Sequence, residues 1–444
     1  MESKIVKVEL EDNNIEKYQI VTGFDWQDLI FKSPPFDKKT IKAMARLYDV
    51  NIIPKDPEKY GNLIFYNINE KEYDLDRNTE IGYIFNNQIL LNYYFNKARD
   101  EDKIIIENGK FIFEDKVLND IFIDLKERDR IAFAKGEKNT FSFFPVSSDL
   151  GYLSDIQKSK LLVNSHFFLM DETDIDSLYD EIGTPHGFAM YKSKIFIPPL
   201  NHRKSLVVDD NNNVNVEYFH VTDFILEIDN EKYIHNNNSK IYTRPDYRET
   251  PKCKGVAIIV VKNKVVAIKK GGNVVIPMAG YVIQIEKEIS LNSLDVKYIF
   301  EKQYLFAVQV GPTMISNHNQ FKDFDTPFYI GNGTPFPSTV YPLDFVKGRA
   351  ARIGLGTYKN EPILIWAEGA GKLGHIKGDE SCGASLLEFS NFCKDYGIKN
   401  LINLDGGGSA QLIFNNKKEL KIADRHIDKV SEAERPIPYA LIIE

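Results

Sequence analysis

The stretch NLDGGGSAQ, Asn403 to Gln411, sets three consecutive glycines between an aspartate and a serine. Each glycine loses more backbone freedom on folding than any other residue, so a flexible spacer is the ordinary explanation. The flanks argue against it. KNLINLD before the glycines and AQLIF after them both carry the alternation of short strands. A glycine triplet pinned between strands marks a place where backbone must approach something closely. Without a Cβ in the way, the N–H groups of Gly406, Gly407 and Gly408 can form a concave nest for anionic or hydroxyl oxygens, and Ser409 adds a hydroxyl at its rim. The competing explanation is a tight turn that needs positive φ. Asp405 ends the incoming strand, where a carboxylate can act as general base or nucleophile or stabilise positive charge. Its competing role is an Asx cap before glycine. Asn403, two residues earlier, is placed by the strand repeat on the same face.

The elements that must position this loop are read from periodicity. ASLLEFSNFCKDYG, Ala384 to Gly397, is the one long helical candidate of the last two thirds, with Leu386, Phe389, Cys393 and Tyr396 at helical spacing and Gly397 placed to end it. It feeds directly into the strand before the glycines. KLLVNSHFF, GFAMYKSKIFI, VAIIVVKNKVVAI, YLFAVQVGPTMI and PILIWAEG are β-rich runs separated by turn residues. The asparagine runs at 211–213 and 236–238 read as loop tips. Upstream, DKKTIKAMARLYD reads as an amphipathic helix, and GNLIFYNI, YIFNNQILLNYYF and IIIENGKFIFED as strands, with Asn108-Gly109 as a hairpin turn. RIAFAKGEKNTFSFF reads as a polar passage between two parts of the chain. The fold class is therefore α+β: a small module of unknown role at 1–138, then a strand-rich domain with few helices at 139–444.

Composition limits the function. The 444 residues carry a net charge of −8 with no basic block, which argues against a nucleic-acid surface. The start has no apolar core of a secretory signal, and no apolar run is long enough to cross a bilayer. These features predict a cytoplasmic protein, or one carried on a viral particle. Cys253, Cys382 and Cys393 lack C-x-x-C spacing and read as plain thiols. His166, His186 and His375 show no metal-ligand spacing and read as structural. The reading needs no cofactor and no transition metal, and leaves room for calcium or magnesium beside Asp405.

LINLDGGGSAQLIF, the helix SCGASLLEFSNFCKDYGIK before it and ERPIPYALII after it together resemble the phosphodiester glycosidase domain family. Further landmarks follow in the same order: LLVNSHFF with Asn164, TPHGFAMYKSKIF, VIPMAGYVIQI, VQVGPTMI and RIGLG at Arg352. The resemblance covers roughly residues 140–443. It implies hydrolysis of a sugar C1–O–phosphate bond and a phosphosaccharide or nucleotide-sugar substrate. On that reading the glycine nest takes phosphate oxygens or a sugar hydroxyl. Asp405 is the first catalytic carboxylate, and glycoside chemistry commonly uses a second. Glu434 in ERPIP and Glu368 at the end of LIWAEG are the candidates. Phosphate leaves as a weakly basic anion, so one carboxylate can suffice. Arg352 and Arg435 suit bidentate phosphate contacts, whereas Arg349 is a surface residue by default. Asn164 and Thr313 interrupt apolar strands at landmarks and join the binding set with Asn403 and Ser409. After Arg352 the chain has Ile353-Gly354 where the family reads Thr-Ala, which puts one contact in doubt. The alternative is a non-catalytic phosphosaccharide binder or particle-associated, phage tail-like protein.

Overall fold

The computed structural model describes residues 17–35, 147–170, 177–321, 348–369, 381–420 and 434–444, apart from Ser148, Leu178, Glu301 and Cys382, and the backbone of short strands within 4–146 and 329–335. It is strand-rich and antiparallel, as the α+β reading expects. A seven-stranded sheet runs in the order Lys4–Glu9, Lys17–Thr22, Glu361–Ala367, Arg352–Tyr358, Asn400–Asn403, Thr313–Ser316, Asn319–Gln320. A five-stranded sheet runs Leu29–Lys32, Ala440–Ile443, Leu161–Asn164, Leu412–Phe414, Lys417–Lys418.

Alternation along the strands decides what each face meets. On the seven-stranded sheet Ile353, Leu355, Leu364, Trp366 and Ile402 face Leu161, Val163, Leu412, Phe414, Leu441 and Ile443 of the five-stranded sheet across the principal core. The intervening Ile363, Ile365 and Leu401 face the helix Leu386–Tyr396 through Phe389 and Cys393. That helix is the α-helix among the described residues, with the limits its sequence predicts. Ser385 accepts from the Glu388 amide, Glu388 returns to the Ser385 amide, and Gly397 closes the helix at φ 95°. Gly354 lets the helix sit close, because a Cβ there would lie 2.8 Å from Leu401 Cδ1 and 3.3 Å from Phe389 Cε1. A third sheet, Lys194–Ile197, Ala189–Tyr191, Tyr304–Val308, Lys204–Asp209, Val214–Tyr218, turns Leu206, Val208 and Phe306 to the principal core. It turns Met190, Val207 and Ala307 to a second core shared with Leu226, Ile258 and Ile283.

Residues 17–35 are woven into this body. Lys17–Thr22 pairs with Glu361–Ala367, and Leu29–Lys32 pairs with Ala440–Ile443. The opening of the expected N-terminal module thus shares hydrogen bonds and core with the larger part. Ile104–Glu107 and Lys110–Phe113 pair with Glu107 opposite Lys110, the register the Asn-Gly turn predicts. The turn residues themselves and the helix expected at 37–49 lie outside the described residues. The passage read as polar is instead two paired strands, Ile131–Glu137 and Thr140–Val146. The alternating Phe133, Phe141 and Phe143 outweigh the interspersed Lys135 and Gly136. Among the described residues no helix is long and apolar enough to cross a membrane.

Candidate active site

In an antiparallel sheet the end of one strand lies beside the start of the next, so residues far apart in sequence gather at one rim. Arg352, first in its strand, pairs with Ala367, and Glu368 follows. Asn403 ends its strand opposite Gly354, and Thr313 starts its own opposite Ile402. Four predicted residues therefore share one end of the seven-stranded sheet. The chain then crosses from Asn403 to Leu412 in the five-stranded sheet, so the glycine loop is the bridge between the two sheets. Asn164 fixes both feet of that bridge: its Nδ2 donates to the Asp405 carbonyl at 2.7 Å and its Oδ1 accepts from the Gln411 amide at 2.8 Å.

The amide directions revise the nest. The Gly406 N–H bonds the Asp405 carboxylate, and the Gly407 N–H donates to the Ala351 carbonyl at 2.9 Å. Of the three, the Gly408 amide is the one without a described partner, so a cradle of three free N–H groups is not what the loop offers. The glycines answer two separate needs. A Cβ on Gly406 would lie 2.5 Å from the Ala351 carbonyl oxygen, and Gly407 adopts φ 56° with open space around it.

What the loop holds is Asp405. Its carboxylate accepts from the Ser409 hydroxyl and the Gly406 amide, with Arg435 nearby. Arg435 Nη1 lies 3.4 Å from Ser409 Oγ and 4.0 Å from Met170 Sδ, and the Arg435 carbonyl accepts from Gln411 Nε2 at 2.7 Å. Burial pushes the Asp405 carboxyl up to about 7 from an ordinary 3.8, against the lowering effects of Ser409, Arg435 and Gly406. An aspartate so placed changes protonation near neutrality, the range in which general acid–base work is most effective.

The remaining candidates divide. Glu368 Oε1, Asn403 Oδ1 and Thr313 Oγ1 are buried without a hydrogen-bond partner at the shared rim. Asn403 Nδ2 donates to the Gly311 carbonyl at 3.1 Å. Glu434, expected as a catalytic partner, is drawn elsewhere. Its two oxygens accept from the Ser154 amide and hydroxyl, each at 2.9 Å, and one lies 3.3 Å from Lys418 Nζ. Arg352, expected on phosphate, donates to the Ala384 carbonyl at 2.9 Å and the Gly348 carbonyl at 2.7 Å, on the helix side of the sheet. Asn164 likewise serves loop backbone. Arg349 pairs with Glu388 at the helix start. Ile353 packs in the principal core with Leu404 and Ala410 of the loop, and its carbonyl accepts from the Leu404 amide at 2.8 Å, so the departure from Thr stands against the loop's core side. Among the described residues no cluster of three His, Cys, Asp or Glu side chains is arranged to hold a metal ion. Cys253 and Cys393 are free thiols. His375 lies outside the described residues.

Sequence reasoning missed Gln411, although it stands inside the opening string, and Ser165, whose carbonyl accepts from the Asp405 amide at 2.9 Å. Both act through backbone contacts that residue type does not reveal.

A hypothetical protein from Synechocystis has 12% identity and a TM-score of 0.41, with 99% of this chain covered, and the chain spans 61% of that protein's length. The catalytic domain of zebrafish N-acetylglucosamine-1-phosphodiester alpha-N-acetylglucosaminidase, auto-inhibited by its pro-peptide, has 11% identity and a TM-score of 0.40, with 100% of this chain and 83% of that one covered. No curated protein matches significantly. The family model described as phosphodiester glycosidase matches residues 223–444, the second half of the chain, which includes the glycine loop, Asp405 and Arg435. Asn164 and the TPHGF turn fall outside that span. By that match, the chain belongs to the phosphodiester glycosidase family.

Proposed function

We propose that the protein hydrolyses the C1–O–phosphate bond of a glycosyl-1-phosphodiester, with Asp405 as general base. The observation that carries this reading is the Asp405 carboxyl, enclosed, titrating at about 7 and flanked by Ser409 and Arg435. Water attacks C1 and gives its proton to Asp405, while the C1–O electron pair leaves with the phosphate. The departing phosphate monoester is a weak base, so it needs charge neutralisation more than a proton. Arg435 and the Gly408 amide are the groups best suited to that task. Glu368, with an unpartnered buried oxygen at the same rim, is suited to the positive charge that develops at C1.

The test is release of free sugar from a panel of sugar-1-phosphodiesters and nucleotide sugars. Wild type is expected to turn over at least one member, with kcat/KM falling as pH drops below about 7. Asp405→Asn is expected to lose activity by about a hundredfold or more while remaining folded. Binding without turnover across the panel would move the reading to a phosphosaccharide-binding protein.

A further inference from the structure

Asp405 and Arg435 stand well apart in sequence, and something must set the distance between them. Arg435 acts on the Asp405 carboxylate by charge, and its Nη1 lies 3.4 Å from the Ser409 Oγ that bonds the same carboxylate. Behind these side chains the two backbones are joined by three hydrogen bonds that run through two residues. Asn164 Nδ2 donates to the Asp405 carbonyl at 2.7 Å, Asn164 Oδ1 accepts from the Gln411 N–H at 2.8 Å, and Gln411 Nε2 donates to the Arg435 carbonyl at 2.7 Å. Asn164 is 1% exposed and Gln411 3%, so water does not compete for these bonds. The partners also fix which way round each side-chain amide sits, since each nitrogen faces a carbonyl and the Asn164 oxygen faces an N–H.

The Arg435 segment has other fastenings, and they lead elsewhere. Glu434 accepts from the Ser154 amide and hydroxyl, and Ile437 exchanges backbone hydrogen bonds with Gly151 at 3.0 and 2.8 Å. These moor the segment to residues 151–154. Gln411 moors it to the outgoing foot of the glycine loop. A guanidinium at the end of a long side chain is placed well only when its own backbone is held. Gln411 therefore has a task that its neighbours Leu412 and Phe414, which face the principal core, do not share.

We propose that Gln411 is a positioning residue: with Asn164 it sets the separation of Asp405 and Arg435, so that the guanidinium stands beside the base and meets the departing phosphate. This rests on the glycosyl-phosphate reading above. Gln411→Met keeps the size of the side chain and the backbone bond to Asn164, and removes the donor to Arg435. Arg435 is the charged group acting on Asp405, the Ser409 hydroxyl and the Gly406 amide are its hydrogen-bond donors, and all three lower its pKa. His166, beside Ser165, is neutral in this range because burial brings it down to about 4, and Glu368 is common to wild type and variant. A drift of Arg435 away from Asp405 thus lets that carboxyl titrate above about 7.

The test follows the Asp405 carboxyl by carbon-13 NMR in the full chain labelled at aspartate, assigned with Asp405→Asn, beside turnover of the best substrate in the panel. Gln411→Met is expected to raise the titration midpoint by about half a pH unit or more. It should cut kcat/KM about tenfold, with the acid limb of the pH profile moved up by the same amount as the midpoint. In an Arg435→Gln background the same substitution should change neither reading, because Gln411 acts through Arg435. A midpoint that stays in place, or a loss that persists undiminished in that background, makes Gln411 plain scaffold and overturns the inference. Gln411→Asn, one methylene too short, repeats the measurement if the methionine variant does not fold, and failure of both to fold overturns the inference likewise. Wild type that turns over no member of the panel overturns the glycosyl-phosphate reading, and the carboxyl titration then decides the positioning of Arg435 by itself.

Discussion

Asp405 is costly to keep where it is, and the cost has a sign that can be measured. Its folded-state pKa of about 7 stands above the ordinary 3.8, so the folded protein holds the proton more tightly than the unfolded chain. The stability linked to that proton is fully present below about pH 4 and is lost as pH rises through about 7. Removing the charge should therefore stabilise the protein at high pH and not at low pH. Asp405→Asn is expected to match wild type near pH 4 and exceed it near pH 8 by roughly 2–4 kcal/mol. Denaturant titrations at the two pH values check this. A constant offset would mean that the carboxyl titrates in its usual range and that Ser409 and Arg435 outweigh its burial.

The glycine loop shows at the scale of an element what was legible in the chain and what was not. That these glycines sit between strands, that a helix precedes them and that Gly397 ends it were all readable, because alternation and capping are local. Which amides remain free was not. The Gly407 N–H is taken by Ala351 and the Gly406 N–H by Asp405, and both contacts depend on a neighbouring strand or on the loop's own curl. For the same reason Glu434 and Arg352 carried the right charge at the right string yet point to Ser154 and to Gly348 and Ala384. Two substitutions separate the needs of neighbouring glycines. Gly406→Ala forces a Cβ against the Ala351 carbonyl oxygen, which is backbone on an interior strand entrance and cannot swing away. Gly407→Ala meets open space and bears only the strain of positive φ, about 1–2 kcal/mol. Gly406→Ala is expected to be the more destabilising and the more damaging to activity. Equal effects in melting temperature and turnover would show that the bridge yields, and that close approach is not why glycine stands at 406.

At the scale of the whole molecule the site is held by sheets that close only when distant parts of the chain meet. Val21, Phe24, Trp26, Leu29 and Phe31 lie in the same core as Ile353, Trp366, Leu412 and Leu441. Phe31 stacks on Phe306 with ring centroids 5.3 Å apart and meets the His166 ring at 5.5 Å. His166 adjoins Ser165, whose carbonyl holds the Asp405 amide, so the opening segment reaches the glycine loop through one side chain and one peptide. Each large apolar side chain buried this way contributes about 1.5–3 kcal/mol, and a domain's net stability is about 5–15 kcal/mol. Deleting residues 1–35 should therefore leave no folded protein, since it also strips pairing partners from Glu361–Ala367 and Ala440–Ile443. A chain that stayed soluble, melted cooperatively and cleaved substrate after that deletion would show that the two strands are ornaments on an independent core. The graded version is Phe31→Ala, expected to lower stability by about 3–5 kcal/mol. It should also weaken turnover more than Trp26→Ala, a core truncation of similar size whose ring contact is with Phe306 and not with His166. If both variants lose activity only in proportion to stability, the coupling from Phe31 through His166 to Asp405 is packing alone.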